Sequence, residues 1–432
     1  MTTTAHGTAA LLSIGDELTL GQTLDTNSKW IASALADLGI VTVEHVTVPD
    51  DLEAHAGTLR RLASKVDLIV STGGLGPTAD DLTRQALAEA VGEALVEDPV
   101  SMAQVRAWFT GRGREMPAIN AVQALRPASA VALQNLHGTA PGLMASIGSC
   151  EVFCLPGPPG EARPMWSSCV VPRLRPPPGR TVRTRVLHTF GIGESDLATR
   201  LGGLMARDRS PLLGTTASGG VVSCRLRYEG PLSREEADAL METAAREVRA
   251  RAGEFVFGEG DVTLPDAVLG LAQAAGQTVG VVESCTGGML GQMLTDPAGA
   301  STVFMGGLVT YSNGMKTALA GVEAAILAEG GPGAVSEEAA AAMARGGLAR
   351  LGVDHCLAVT GIAGPGGGSA GKPVGTVWIA LASRGRDVDA RRFRMSGARG
   401  AVRDWACKAA LAMLRQRLAG VGPVKLLRQE HP

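Results

Sequence analysis

Short apolar runs alternate with stretches whose apolar residues recur at helical spacing, in both halves of the chain. Near the start, Ala9 to Ile14 reads as a strand. Ser28 to Leu38 reads as a helix with Trp30, Ile31, Ala34, Leu35 and Leu38 on one face. Val41 to Val48 is a second strand, Leu52 to Ser64 a second helix, Val66 to Val70 a third strand, and Val152 to Leu155 another. The last third repeats the alternation. Thr278 to Val282 is a β-branched run followed by helical spacing from Met289 to Leu294, and Ser301 to Tyr311 reads as a strand. Ser336 caps a helix through Arg350, Asp354 to Thr360 is a strand, and Lys372 to Trp378 returns into a strand through Ala382. Strands alternating with helices predict parallel sheets covered on both faces. Between the two halves, Arg175-Pro176-Pro177-Pro178-Gly179 is a stiff break and Gly258-Glu259-Gly260-Asp261 a second one. The stretch they enclose predicts strands at Thr184–Phe190 and Val221–Tyr228, a helix at Arg234–Arg251, and a helix opened by Gly191-Ile192-Gly193-Glu194-Ser195. The predicted class is α/β: two parallel-sheet α/β domains, 1–175 and 259–424, joined by a small α+β module, 176–258, suited to scaffolding and dimer or domain contacts.

Composition narrows the function. The 432 residues are 45% hydrophobic and carry a net charge of −2, which favours neither nucleic acid nor an anionic membrane. No apolar run reaches a membrane span, and Met1 to Gly7 lacks the basic start of a signal peptide, so a cytoplasmic location is expected. The 7 cysteines are scattered, with Cys150 and Cys154 the closest pair and no Cys-x-x-Cys, and the 7 histidines are equally dispersed. A catalytic metal would then sit on carboxylates and phosphate oxygens, as magnesium-like ions do. Many of the 57 glycines fall in strand-to-helix turns, as expected for a protein that binds phosphorylated ligands.

In the N-terminal half, the third strand runs into Ser71-Thr72-Gly73-Gly74-Leu75-Gly76-Pro77-Thr78-Ala79-Asp80-Asp81. Glycines there let a backbone approach a ligand. Thr78 offers a hydroxyl, and Asp80 and Asp81 suit a cation bridging carboxylate and phosphate. The same acids could instead cap a helix. Asp16 in Gly15-Asp16-Glu17-Leu18, Asn27, and Glu161 in Pro156-Gly157-Pro158-Pro159-Gly160-Glu161 lie at neighbouring strand ends, where ligands bind in such sheets.

In the C-terminal half, Glu283-Ser284-Cys285-Thr286-Gly287-Gly288 joins a strand to a helix through small polar residues. Such a turn leaves the first helical N–H groups unpaired, able to hold a phosphate or an oxyanion. Ser284 stands where a nucleophile would, although a hydroxyl there also caps helices. Tyr311 and Lys316 follow in Tyr311-Ser312-Asn313-Gly314-Met315-Lys316. A buried neutral lysine can take a serine proton, and a tyrosine can relay it or steady the oxyanion; the alternative is a surface lysine after a turn. Gly361-Ile362-Ala363-Gly364-Pro365-Gly366-Gly367-Gly368-Ser369 is open enough to fold over a nucleotide. Arg399 and Arg403 share a helix face, a pairing that suits phosphate or a solvated basic face.

Taken together these stretches resemble the CinA family over nearly the whole chain. The N-terminal ones look like its molybdopterin-binding-type (MoaB/MogA-like) domain, the C-terminal ones like its nicotinamide-nucleotide amidase domain. The resemblance implies that the C-terminal domain deamidates nicotinamide mononucleotide (NMN) to nicotinic acid mononucleotide and ammonia without a cofactor. It implies that the N-terminal domain hydrolyses ADP-ribose with a divalent cation, magnesium-like or cobalt, and that the protein is a homodimer acting on small nucleotides with no direct nucleic-acid or membrane partner. By position, Ser284 would be nucleophile, Lys316 its base and Tyr311 their support. Thr286, Gly287 and Gly288 would offer N–H groups, with Thr360, Gly361, Gly364, Arg399 and Arg403 around the substrate. In the N-terminal domain Gly73, Gly74, Gly76, Thr78 and Asn27 would contact the ligand, and Asp80, Asp81, Asp16 and Glu161 the metal. Where the family usually shows Gly-Asp-Arg, this chain has Gly397-Ala398-Arg399, which opens the question of what orients the arginine.

Overall fold

The computed structural model describes residues 5–430. The first four residues, where part of any leader would fall, and the last two lie outside the described residues. The chain forms two compact units, one running to Arg183 and including Glu229–Ala237, the other comprising Thr184–Tyr228 and the chain from Asp238 onward.

The first unit contains β1 (Thr8–Ile14), β2 (Val41–Val48), β3 (Leu68–Thr72), β4 (Leu95–Glu97), β5 (Leu125–Pro127), β6 (Val131–Leu133), β7 (Gly142–Ile147) and β8 (Cys150–Leu155). Its main sheet has the order β2-β1-β3-β8-β7-β6, and β4 and β5 form a separate pair. The first four strands of that sheet are mutually parallel, while β7 and β6 add antiparallel pairings, so the sheet is mixed rather than parallel throughout. The apolar run of β1 is buried on both sides because alternate residues serve different layers. Ala10, Leu12 and Ile14 join one core with Leu59, Leu62 and Leu87; Ala9 and Leu11 join another with Ile31, Leu35 and Trp166.

The small module is a sheet of β9 (Thr181–Phe190), β10 (Leu212–Ser218), β11 (Val221–Gly230) and β12 (Val256–Glu259), in the order β10-β11-β9-β12 with both outer pairs antiparallel, and helices Glu194–Leu201 and Arg234–Ala252. The C-terminal sheet has β13 (Val279–Glu283), β14 (Phe304–Val309), β15 (His355–Gly361), β16 (Thr376–Ser383) and β17 (Asp389–Arg394) in the order β14-β13-β15-β16-β17, parallel from β14 to β15 and antiparallel beyond. Here too alternate residues divide: Val279 and Val281 face the core that holds Trp405, Val282 the core that holds Met343. Phe190 of the module belongs to the Trp405 core, so the module and the C-terminal sheet share one hydrophobic interior.

The strand expected over Ser301–Tyr311 is shorter. Thr302 and Val303 N–H groups are used in a turn back to Gly299 and Ala300, so the ladder begins at Phe304. It ends at Val309, which puts Tyr311 on the connection to the helix Asn313–Ala320.

Candidate active sites

Ser284 follows the last residue of β13, held by its N–H donating to Val359 O at 2.9 Å. Lys316 enters from the helix Asn313–Ala320, whose N-cap Ser312 accepts from Met315 N–H. Lys316 Nζ lies 3.0 Å from Ser284 Oγ, 2.9 Å from Thr310 O and 3.4 Å from Tyr311 O. Lys316 is 2% exposed and Ser284 7%, so the lysine is not a surface residue. Burial lowers its pKa. A neutral amine has two N–H groups and one lone pair. In its neutral form, with those N–H groups on the Thr310 and Tyr311 carbonyls, the amine would turn its lone pair to the Ser284 hydroxyl. The neighbouring Cys285 is no rival nucleophile, since burial pushes its thiol up to about 12.

The turn itself differs from the expected open anion site. Glu283, 1% exposed, folds its carboxylate back to accept from Gly288 N–H at 3.0 Å, Leu290 N–H at 3.0 Å and Gly291 N–H at 2.8 Å. A buried carboxylate needs such donors, and the helix start supplies them. Gly287 N–H donates to Ser284 O at 3.1 Å. Gly287 and Gly288 therefore do not offer N–H groups to a ligand; their part is conformational, with φ of +57° and +94°. Cys285 and Thr286 are the residues of this turn that directly follow Ser284.

Arg399 and Arg403 lie on the helix Arg399–Leu418 and each grips a loop. Arg403 Nη2 donates to Thr286 O at 2.7 Å; Arg399 donates to Gly364 O at 3.0 Å and to the Tyr311 hydroxyl at 3.1 Å. Tyr311, 61% exposed, thus supports Lys316 through its carbonyl, and its phenol meets Arg399 instead of relaying a proton. Thr360 is likewise turned away from a ligand: its hydroxyl donates to Ala334 O at 2.6 Å. Gly361 and Gly364 shape the loop, because a Cβ on Gly361 would crowd Thr376 O and Val377, and one on Gly364 would crowd Val374. Thr286 Oγ1 and Arg403 Nε are buried with no hydrogen-bond partner. Two open valences beside the serine are what a polar ligand would fill.

All the N-terminal candidates except Asp16 and Thr78 line a cleft of about 520 Å³ at the carboxyl ends of β1, β3 and β8. Gly73, Gly74, Gly76, Asn27, Asp80, Asp81 and Glu161 all border it. Gly73 needs its φ of +107° and its missing side chain, because a Cβ would press on Ile14 O. Asp81 is committed to the loop: its oxygens accept from Gly76 N–H at 2.7 Å, Thr78 N–H at 2.9 Å and the Thr78 hydroxyl. That revises the expectation for both residues, since the Asp81 carboxylate and the Thr78 hydroxyl satisfy one another. Glu161 accepts from Asn135 Nδ2 at 2.7 Å, and Asn27 Nδ2 donates to Gly157 O at 2.7 Å. Asp16 exchanges backbone-to-carboxylate bonds with Asp50.

Asp50, Glu17 and Gln123 also border the cleft and Arg84 braces it, donating to Gly76 O at 3.0 Å and to Leu75 O. Sequence reasoning passed over Asp50, Gln123 and Arg84. Asp50 follows the end of a parallel strand, a position that could have flagged it. Its carboxyl is raised above the ordinary range by burial and by the charges of Asp16, Glu17 and Asp80. These are hard oxygen donors that suit a divalent cation with phosphate oxygens in its shell. Among the described residues, however, no three histidine, cysteine or carboxylate side chains converge as a ready-made cage.

Two open, mixed α/β sheets with a small α+β module between them in sequence, one bearing a glycine-rich acidic cleft and the other a buried serine–lysine pair, define the class. Family models match in the same order: "Probable molybdopterin binding domain" at residues 10–176, "Damage-inducible protein CinA KH domain" at 184–258 and "CinA C-terminal domain" at 261–418. A CinA-like protein of Geobacter sulfurreducens is 43% identical over 412 residues, covering 95% of this chain and 98% of its own. One from Synechococcus sp. is 42% identical over 414 residues, covering 94% and 97%. The crystal structure of competence/damage inducible protein CihA from Agrobacterium tumefaciens, 40% identical, covers 36% of this chain and 93% of its own with a TM-score of 0.35. The chain belongs to the CinA family. Among the described residues no helix is long and apolar enough to cross a membrane.

Proposed function

We propose that this chain is a pyridine-nucleotide salvage hydrolase whose C-terminal domain deamidates NMN. The observation that carries the reading is the 3.0 Å approach of the buried Lys316 Nζ to Ser284 Oγ. Ser284 Oγ attacks the carboxamide carbon as its proton passes to the Lys316 lone pair. The oxyanion meets backbone N–H groups of the turn that follows Ser284, at Cys285 and Thr286. Lys316 returns the proton to the amide nitrogen, ammonia leaves, and the nicotinoyl group remains as an ester on Ser284. Water, deprotonated by Lys316, attacks that ester; the bond to Oγ breaks, and nicotinic acid mononucleotide departs. Arg403 and the Thr286 hydroxyl, with their open valences, hold the nucleotide phosphate, and the loop from Gly361 covers it. The N-terminal domain hydrolyses ADP-ribose to AMP and ribose 5-phosphate. Gly73, Gly74 and Gly76 allow the pyrophosphate to approach the backbone, and Asp80, with Glu17 and Asp50 beside it, would hold a divalent cation, which would supply positive charge against the phosphates. The protein acts as a cytoplasmic homodimer without a nucleic-acid partner.

A second reading keeps the N-terminal domain as a molybdopterin- or nucleotide-binding regulator without turnover. It is favoured by the commitment of Asp81 to its own loop. Incubation with a panel of pyridine nucleotides and molybdopterin precursors, followed by mass, separates the readings. Ammonia from NMN with AMP from ADP-ribose supports the bifunctional enzyme, ammonia alone the regulator, and neither product overturns both.

A further inference from the structure

The Gly191-Ile192-Gly193-Glu194 turn leads from β9 into the helix Glu194–Leu201. In nucleic-acid-binding KH domains a glycine-rich loop clamps the nucleotide backbone, and this module matches a KH model. Here the turn is covered by the chain's own C-terminal segment. Leu427 N–H donates to Gly191 O at 2.7 Å. Leu426 is buried in the space that a side chain on Gly191 would need, and Leu427 comes within 3.9 Å of where a Cβ on Gly193 would sit.

The other side of the segment is tied to β17 and its neighbours. Arg394 N–H donates to Arg428 O at 2.9 Å, Glu430 N–H to Arg392 O at 2.9 Å, and Arg391 to Val424 O at 3.0 Å. Arg428 lies 4.1 Å over the Trp405 ring, and Phe190 of the module stands 5.1 Å from the same ring. Among the described residues Arg428 is the one non-glycine at positive φ, +69°. A conformation that unfavourable persists only where its surroundings fix it. Charge points the same way: Glu194 and Asp196 occupy the first turn of the helix, where a phosphate reader would avoid carboxylates.

We propose that Val424–Glu430 is the resident ligand of this turn, an internal latch that docks the module onto Trp405 and β17, and that the surface takes the chain's own tail and not a nucleic-acid strand. Trp405 shares its helix with Arg399 and Arg403, so the latch steadies the helix that grips both loops of the serine site. The latch holds whichever reaction either site performs.

The test compares the full-length protein with Leu426→Asp and the milder Leu427→Ala by hydrogen–deuterium exchange, and measures anisotropy of fluorescent oligouridylate and oligothymidylate at low salt. In Leu426→Asp, exchange at 184–201 and 399–418 should rise ~10-fold or more, with a smaller rise at the same peptides in Leu427→Ala, while β1 and β3 stay protected. Should Leu426→Asp lose protection throughout, Leu427→Ala decides by whether its rise is confined to those peptides. No oligonucleotide should bind the wild-type protein. Unchanged exchange at Gly191–Glu194 in both variants overturns the latch, as does an oligonucleotide that binds wild-type protein and protects those amides.

Discussion

The serine site and the N-terminal cleft solve opposite electrostatic problems. Around Ser284, charge is removed from water and neutralised locally: Glu283 is closed by three backbone N–H groups, and Lys316 is buried against two carbonyls. Around the glycine loop, charge is gathered and left facing an open cleft. Burial raises the Asp50 carboxyl, and the nearby charges of Asp16, Glu17 and Asp80 add to the rise. A closed site with a base of lowered pKa can run proton transfer by itself. An open acidic site gains from a cation, which removes the mutual repulsion and brings in an anionic ligand. On the proposed reading, the first site carries its own base and the second draws its charge balance from a bound cation.

The largest effect should come from the closed site. Ser284→Ala should lower NMN deamidation by on the order of 10⁴-fold or more with nucleotide binding retained; turnover near wild type would sink the nucleophile. In the wild type, kcat/KM should rise with pH as Lys316 becomes neutral and level off, with a midpoint below the ordinary lysine value of 10.5, since burial lowers it. A profile flat from acid to alkaline pH would mean that another group takes the proton.

Chelation sharpens the contrast next. EDTA should stop AMP release from ADP-ribose and spare ammonia release from NMN. Asp80→Asn should raise the cation concentration needed without altering the fold, because Asp80 is exposed at the cleft. Asp81→Asn should instead loosen the Gly76–Thr78 loop and weaken binding at any cation concentration, because its carboxylate is the loop's acceptor. Equal shifts in cation dependence for both would erase the distinction between them.

What the sequence could and could not disclose follows from the same physics. The parallel strands were legible because burial on both faces leaves continuous apolar runs, as in β1 and β13. β10 and β17, Leu-Leu-Gly-Thr-Thr-Ala-Ser and Asp-Ala-Arg-Arg-Phe-Arg, carry too few apolar residues to show a period. Ser284 and Lys316 could be named from spacing and resemblance, but the burial that lowers the lysine's pKa arises only when β14 and its following helix fold onto β13. Glu283 was hidden for a different reason. Its neighbours mark a turn, and nothing local says that its side chain folds back onto the helix start it precedes. The same holds for Asp81, whose partners lie within its own loop.

Glu283 gives a smaller, more discriminating test. Glu283→Gln keeps shape but places N–H against backbone N–H at the helix start, so the turn bearing Ser284 should shift. A displacement of that kind should lower kcat about 10- to 100-fold with KM little changed. Labelling of Ser284 by a fluorophosphonate should slow in parallel, whichever amide is the true substrate. Wild-type kcat and labelling would show that the turn holds without the carboxylate.

The smallest expected effect concerns the residue that departs from the family's usual Gly-Asp-Arg. Ala398 is the N-cap of the helix Arg399–Leu418, with extended backbone at φ −66°, ψ 162° and no side chain to accept an N–H. An aspartate there would take an unpaired N–H of the first turn and complement the helix dipole. Ala398→Asp should therefore stabilise the second unit by about 1 kcal/mol, a rise of roughly 2–4 °C in Tm. Its effect on kcat/KM should be slight, because Arg399 is already oriented by Gly364 O and the Tyr311 hydroxyl. The two readouts separate two roles for a carboxylate at this position. Higher Tm with unchanged kinetics identifies a cap. Unchanged Tm with several-fold faster turnover would mean that the carboxylate acts on the arginine, and that the observed grip of Arg399 on its two partners does not by itself fix the guanidinium for the substrate.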